Sequence, residues 1–228
     1  MIFLYYTYDG IVYHIKCGFL AAKGFADKND TRTHLVFPNS VKIVENGLKK
    51  VPVKEIDTGA FIENLNIKEV ILPSKLEWIG HCAFAGCRNL EKVQSRENNG
   101  ILRILGNAFV CCDQLREVKL NTIVEISQKA FEDCINLSVF EANIQLVSTN
   151  AFTNCMALKK LSISNNAVLF NNTIEKSGIA TLMFHGDVQQ LPVGLSKWLK
   201  RKNIQLICVN KCPTISELEY SGYNVCTV

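Results

Sequence analysis

An Ala-Phe dipeptide that recurs at short, nearly regular intervals constrains the fold of this chain more than any other feature. Its five copies are Ala60-Phe61, Ala83-Phe84, Ala108-Phe109, Ala130-Phe131 and Ala151-Phe152, with spacings of 23, 25, 22 and 21 residues. Such spacings are typical of leucine-rich repeats, in which each repeat is one structural unit. Because a single unit cannot bury its apolar face alone, consecutive units stack and share a continuous core. The dipeptide therefore predicts a solenoid.

Further columns of similar residues keep register with the dipeptide. Three residues after the phenylalanine stand Asn64, Cys87, Cys112, Cys134 and Cys155. Six residues after it stand Ile67, Leu90, Leu115, Leu137 and Leu158, and nine after it stand Val70, Val93, Val118, Phe140 and Leu161. Five residues before it stand Ile56, Ile79, Ile104, Ile126 and Val147. Chance does not fill this many columns over five copies, so the repeat is a property of the fold.

The spacing within one copy indicates its shape. Alanine, cysteine and leucine stand at i, i+4 and i+7, which predicts one side of a short helix. The pattern Val70-x-Leu72 has the two-residue period of a strand, and Leu76-x-x-Ile79 predicts a second, shorter strand. We therefore predict a repeat solenoid of the leucine-rich-repeat type, mostly β with short helical turns, built as a curved stack of parallel strands.

The N-terminal region predicts a β-hairpin. Residues 3–8 and 11–15 are rich in aromatic and β-branched side chains, and they flank the turn dipeptide Asp9-Gly10. We expect this hairpin to cap the N-terminal end of the stack, where an open sheet edge would otherwise pair with another chain.

The C-terminal region predicts a worn repeat and a second cap. A sixth copy is degenerate, because Asn172-Thr173 replaces Ala-Phe and Lys176 replaces the cysteine. Residues 191–199 have a helical apolar pattern and residues 204–209 resemble a final strand, so this helix and strand are expected to cover the open end.

These patterns predict three regions along the chain. Residues 1–50 hold the capping hairpin and a partial copy around residues 35–38. Residues 51–185 hold five full repeats and one degenerate repeat, and residues 186–228 hold the C-terminal cap and a tail.

Composition excludes several classes of protein. The chain has 228 residues, of which 48% are hydrophobic and 20% charged, as in a soluble protein with a real core. No apolar run approaches the roughly 20 residues that span a bilayer, so we expect no membrane span. The N-terminus lacks the basic region of a secretion signal, which favours a cytoplasmic location over the cell surface.

The net charge of +4 is local rather than spread along a groove. Five basic residues near the C-terminus carry it without an intervening acid: Lys197, Lys200, Arg201, Lys202 and Lys211. A nucleic-acid-binding protein distributes basic residues over a face, so we interpret this cluster as a solvated helix and expect no nucleic-acid partner.

Cysteine and histidine give little support for chemistry. Four of the ten cysteines share one repeat column, which indicates small buried hydrophobes rather than disulfides or a zinc site. The histidines fall in different registers, so we expect no metal, no cofactor and no enzyme activity. The adjacent His81 and Cys82 leave a thiol hydrolase as a distant alternative.

The pattern Ile-x-x-x-Ala-Phe-x-x-Cys-x-x-Leu-x-x-Val resembles the repeat of BspA-like leucine-rich-repeat proteins. Its clearest copy runs from Ile79 to Val93, and the resemblance covers roughly residues 2–185. The resemblance implies a protein-binding scaffold. For surface members of the family it implies binding to host extracellular-matrix proteins or cells, so an adhesin exported without a classical signal peptide is the alternative.

The predicted binding residues lie on the strands. Alternate strand residues point away from the core and would line a concave face, the default surface for a protein partner. These residues are Glu69, Ile71, Lys92, Gln94, Glu117, Lys119, Val139, Glu141, Lys160, Ser162 and Met183. The alternative is that their charges form cross-strand ladders, each pair contributing about 0.2–1 kcal/mol to stability and nothing to recognition. We expect a monomer that binds its partner through this face.

Overall fold

The computed structural model describes residues 4–44, 49–96, 101–164, 167–170, 172–173, 176–185, 204–208 and 225–227. Over these residues the chain forms a β-solenoid of about five turns, as the repeat predicts. Its strands are β1 (Tyr5–Tyr8), β2 (Ile11–Lys16), β3 (Phe19–Phe25), β4 (His34–Val36), β5 (Ser40–Ile43), β6 (Lys49–Ile56), β7 (Glu69–Leu72), β8 (Trp78–Ile79), β9 (Lys92–Ser95), β10 (Leu102–Ile104), β11 (Glu117–Ile126), β12 (Val139–Val147), β13 (Lys160–Ser164), β14 (Val168–Leu169), β15 (Thr181–His185), β16 (Gln205–Cys208) and β17 (Val225–Thr227).

One row of parallel strands, which we call the first row, follows the column nine residues after the phenylalanine. It comprises β4, β7, β9 and the first halves of β11 and β12 in a 13-stranded sheet, then β13, β15, β16 and β17 in a four-stranded sheet. Leu35 pairs with Val70, so the segment predicted to be a partial copy lies beside the first full repeat.

A second row follows the column five residues before the phenylalanine. It runs through β3, β6, β8, β10, the second halves of β11 and β12, and β14. In this row Ile79 pairs with Ile56 on one side and with Ile104 on the other. Each turn of the chain therefore gives one strand to each row, and β11 and β12 run through both.

The phenylalanines form a continuous stack between the rows. The rings of Phe61, Phe84, Phe109, Phe131 and Phe152 lie with neighbouring centroids 5.1–5.5 Å apart and with planes within 10° of parallel. At the N-terminal end of the stack, Phe25 and Phe37 contact the ring of Phe61 edge-on. The stacked rings are almost fully buried and form the centre of the core.

The cysteine column lies beside this stack. The thiols of Cys87, Cys112, Cys134 and Cys155 each donate a hydrogen bond of 3.1–3.2 Å to the phenylalanine carbonyl of the preceding copy. All four side chains are free and fully buried, as the column predicts. Burial raises the pKa of the Cys87 thiol to about 12.

The predicted helical turns are wrong, because no described residue is helical. Two columns in each turn have φ between +54° and +69°: Gly59, Cys82, Asn107, Lys129 and Asn150 before the alanine, and Glu63, Gly86, Cys111, Asp133 and Asn154 after the phenylalanine. An α-helix cannot contain such residues. Instead of bonding within its own turn, the Phe84 N–H donates to the Ala108 carbonyl of the next copy (2.8 Å).

The predicted N-terminal hairpin is confirmed as β1 and β2. The strands pair antiparallel around Asp9 and Gly10, both with positive φ, and β2 pairs with β3 at the end of the second row. Whether the hairpin acts as a cap stays a prediction. Another antiparallel strand, β5, pairs with β6.

Opposite charges join this N-terminal part to the first full turn. The Nζ of Lys16 lies 2.6 Å from Glu55 Oε1, and the Nζ of Lys23 lies 2.8 Å from Asp57 Oδ2. Burial alone raises the pKa of Asp57, but the hydrogen bonds from Lys23 and from the Thr58 N–H, with the two lysine charges, lower it overall. The cluster therefore stabilises β2 and β3 against β6 at neutral pH.

The sixth copy is shifted by one residue from the predicted alignment. Thr173, rather than Asn172, accepts the Phe152 N–H (2.9 Å) in the place where alanine accepts it in the other copies. Asn172 and Lys176 have φ of 60° and 56°, so they continue the two left-handed columns. Ser177, 7% exposed, then stands in the place of the cysteine.

The C-terminal end is partly described. The strand expected at residues 204–209 is confirmed as β16, but β17 follows it, so β16 is not the last strand. The helix predicted at residues 191–199 and the basic cluster lie outside the described residues.

Candidate binding face

The first row alternates cleanly between core and surface. On β11, Val118 is buried while Glu117 and Lys119 lie on the opposite side of the strand. The eleven predicted binding residues all fall on this opposite side, which we call the first-row face. Of these, Lys119, Glu141 and Lys160 are exposed, and the other eight are half-buried.

In the N-terminal half of this face the charged groups bind one another. Gln94 Nε2 donates to Glu69 Oε1 (2.9 Å), and Glu117 Oε1 lies 3.1 Å from Lys119 Nζ and 3.5 Å from Lys92 Nζ. The hydrogen bond from Lys119, with the charge of Lys92, lowers the pKa of Glu117. This half therefore forms the cross-strand ladder that is the alternative to a role in recognition.

His34 extends this ladder by one strand and is missing from the eleven predicted residues. Its Nε2 lies 3.6 Å from Glu69 Oε2, and its side chain is 66% exposed. The signal was present in the sequence, since His34 precedes Leu35 as Glu69 precedes Val70, and the partial copy could have been extended to it.

In the C-terminal half two charges remain available. Glu141 on β12 and Lys160 on β13 are exposed, and neither makes a hydrogen bond or an ion pair with another residue of the described ranges. They line a depression of about 510 Å³ together with Ala142, Asn143, Ser162 and Met183. Four of these six are predicted binding residues, so the structure brings that subset together.

The depression lies where the backbone ladder of the first row is interrupted between the neighbouring strands β12 and β13, an interruption that we call the opening. In the first row, β12 is the last strand of the 13-stranded sheet and β13 is the first strand of the four-stranded sheet. Among the described strands, no backbone ladder joins these two. In the second row β12 still pairs with β14, through Leu146 and Val168 and through Val147 and Leu169. The opening is therefore confined to the first-row side of the solenoid.

Two substitutions in the repeat accompany the opening. Phe140 stands in a column where the preceding copies have valine, and its ring packs edge-on against Phe131 and Phe152, 5.2 and 5.1 Å between centroids. Two residues later, Ala142 stands where a larger residue such as Leu120 or Ile163 faces the core in other copies. The ring of Phe140 is thus larger than the valines of its column, and Ala142, which lines the depression, is smaller than the residues of its own column.

The structure does not bring together the three apolar residues of the predicted face. Ile71, Val139 and Met183 lie on β7, β12 and β15, and each is half-buried. Met183 alone lines the depression.

The histidine and acidic side chains do not form a metal centre in the described part of the chain. Over those ranges, no group of three or more histidine, cysteine, aspartate or glutamate side chains is placed to hold a metal ion. His14, His34 and His81 belong to β2, to β4 and to the turn before Ala83.

No helix in the described part of the chain is long and apolar enough to cross a membrane.

Comparison with protein families identifies the repeat. The family described as "BspA type Leucine rich repeat region" matches residues 54–190 in six copies. A search of the curated proteins finds no match.

Solved structures share the fold at low sequence identity. A leucine rich cell surface protein from Faecalibacterium prausnitzii is 17% identical, with a TM-score of 0.66, and the match covers 91% of this chain and 51% of the other. A leucine-rich repeat protein from Eubacterium ventriosum is 21% identical, with a TM-score of 0.56, and the match covers 85% and 52%. The chain thus spans about half the length of these two proteins.

Proposed function

Because the chain belongs to the BspA-type leucine-rich repeat family, we propose that it is a non-catalytic scaffold that binds a protein partner through the first-row face. The residues proposed for contact are the eleven predicted on this face. We propose that the chain acts as a monomer and needs no cofactor.

The observation that carries this proposal is the division of the face into two halves. Five polar residues of the N-terminal half pair with one another, whereas Glu141 and Lys160 beside the depression form no ion pair among the described residues. Stacked parallel strands supply a broad, rigid surface, and a rigid surface binds with little loss of conformational entropy. The free charges then give a partner something specific to recognise.

A charge-reversed variant of this face tests the proposal. The variant Lys119→Glu, Glu141→Lys and Met183→Asp changes three strands, and Lys54→Glu with Glu77→Lys reverses an ion pair of the second row as a matched control. Both proteins and the unchanged chain are used as bait in lysate and in host matrix extracts, and each captured protein is then titrated in purified form. We expect the face variant to lose binding by at least about tenfold and the control to keep it. Equal binding by all three proteins would exclude this face.

The partner is either inside the cell or at the cell surface. The Faecalibacterium prausnitzii protein is named a cell surface protein, and the family resemblance implies that surface members bind host matrix or cells. We propose the same for this chain as the alternative to an intracellular partner. Antibody staining of intact and permeabilised cells distinguishes the two, since signal from permeabilised cells alone would exclude the surface role.

A further inference from the structure

The depression between β12 and β13 has a composition that specifies its ligand. We propose, building on the proposed function, that it binds a short segment of the partner in which an acidic, an apolar and a basic side chain lie next to one another. Lys160 would receive the acid, Glu141 the base, and Met183 with Ala142 the apolar side chain. The repeat family alone does not imply this chemistry, because it depends on residues that differ from copy to copy.

The two charges are available and are of opposite sign. Glu141 stands opposite Lys119 across β11 and β12, and its charge contributes to the raised pKa of Lys119, but the ion pair of Lys119 is with Glu117, at 3.1 Å. Lys160 stands on the other side of the opening, and in the described part of the chain it has no acidic partner. A ligand with two like charges would therefore meet one attraction and one repulsion, whereas a ligand with one charge of each sign meets two attractions.

The surface between the charges is partly apolar and adaptable. Met183 presents a flexible, polarisable thioether that can fit side chains of different shape, and Ala142 leaves space beside it. Ser162 and Asn143 add a hydroxyl and an amide at the margin. At about 510 Å³ the depression has room for one large aliphatic side chain and the stems of its charged neighbours.

Methyl NMR on the full chain tests this inference directly. The chain contains three methionines, of which Met183 lines the depression and Met156, 56% exposed, is not among the lining residues. The probes are four capped peptides with the central sequences Asp-Leu-Lys, Asp-Leu-Asp, Lys-Leu-Lys and Asp-Ser-Lys. We expect only Asp-Leu-Lys to shift the Met183 methyl signal strongly, while the Met156 signal stays in place and reports an unchanged fold.

Single charge reversals should change the preferred peptide in a defined way. With Glu141→Lys the site carries two cations, so Asp-Leu-Asp should become the strongest probe. With Lys160→Glu the site carries two anions, so Lys-Leu-Lys should become the strongest probe. The neutral variants Glu141→Gln and Lys160→Gln should each weaken Asp-Leu-Lys about two- to fivefold, the range of exposed ion pairs. Equal shifts with all charge patterns, no Met183 shift, or no change of preference would each overturn the inference.

These outcomes are separable from those of the proposed function. If no peptide shifts the Met183 methyl signal while the face variant still loses its partner, the face binds its partner through other residues. Only this inference is then wrong. If the peptides bind with the expected preference while the face variant keeps every partner, this pocket chemistry holds and the proposed function is wrong.

Discussion

The thiol of Cys112 donates a hydrogen bond to the carbonyl oxygen of Phe84, 3.2 Å away in the preceding turn. The same carbonyl accepts the N–H of Cys87 at 3.2 Å, so both of its lone pairs are satisfied inside the core. A cysteine suits this position because it is small and apolar enough to be fully buried and still provides a weak donor. The cysteine column thus connects each turn to the next as well as filling space.

This arrangement predicts which thiols react in the folded protein. Iodoacetamide at pH 8 should modify the exposed Cys17 and leave Cys87, Cys112, Cys134 and Cys155 unmodified, because these four are buried and free. Peptide mass spectrometry of the labelled chain measures this. Labelling in concentrated urea is the control, in which all of them should react, and a disulfide between any of the four would contradict the structure.

Buried thiols also predict a fall in stability at high pH. Burial raises the pKa of Cys87 from 9.0 to about 12, so between these values the unfolded chain loses a proton that the folded chain keeps. The stabilisation is complete below pH 9 and is lost as the pH rises toward 12. Above pH 9 the free energy of unfolding, measured by urea titration, should fall with rising pH in both proteins. The fall should be less steep in Cys87→Ala than in the unchanged chain, by about 1 kcal/mol per pH unit. Parallel pH profiles for the two proteins would contradict the expected ionisation.

Truncation of a central ring should be far more costly than truncation of an exposed one. Phe131 is fully buried and stacks on Phe109 at 5.1 Å and on Phe152 at 5.5 Å. We expect Phe131→Ala to lower the free energy of unfolding by about 3–5 kcal/mol, since it removes a buried ring and leaves a cavity. The control, Phe170→Ala, truncates a side chain that is 47% exposed and should cost less than about 1 kcal/mol. Similar urea midpoints for both variants would show that the stack does not hold the core.

The sequence predicted the rows of strands and the core because apolar columns record burial directly. The buried residues Val118 and Leu120 alternate with polar neighbours on β11, and this two-residue period is typical of a half-buried strand. The turns were not predictable in the same way. Left-handed backbone is usually signalled by glycine, whereas Cys82 and Lys129 adopt it here while their N–H groups donate to the Gly106 and Thr149 carbonyls of the next copy.

The candidate site was predictable only in part. The strand period placed Glu141, Lys160, Ser162 and Met183 on one face, but it could not distinguish satisfied charges from free ones. The opening beside β13 occurs where Phe140 packs against two rings of the stack, and neither the missing ladder nor this packing can be derived from the repeat pattern.

Cys82 has left-handed backbone, with φ of 54°, and this predicts that glycine at position 82 is more stable than alanine. A side chain in this conformation costs about 1–2 kcal/mol, and glycine avoids that cost. We therefore expect Cys82→Gly to be more stable than Cys82→Ala by about 1 kcal/mol, the remainder being lost to the greater freedom of glycine in the unfolded chain. Both variants remove the thiol, so thermal melts of the pair isolate the backbone effect. A more stable alanine variant would contradict the left-handed turn.

Neutral substitutions of Glu117 and Glu141 should separate an effect on folding stability from an effect on peptide binding. Glu117→Gln removes the negative charge that Lys92 and Lys119 share, so it should lower the free energy of unfolding by up to about 1 kcal/mol in low salt. This loss should vanish near 1 M salt, where the screening length falls to about 3 Å. Glu141→Gln removes no ion pair but only the weaker attraction of Glu141 for Lys119, so it should cost less stability in low salt than Glu117→Gln, and it should weaken binding of the Asp-Leu-Lys peptide at Met183. Urea titrations and methyl NMR on both variants measure the two effects. If Glu117→Gln weakened binding and left stability unchanged, recognition would lie in the N-terminal half of the face instead.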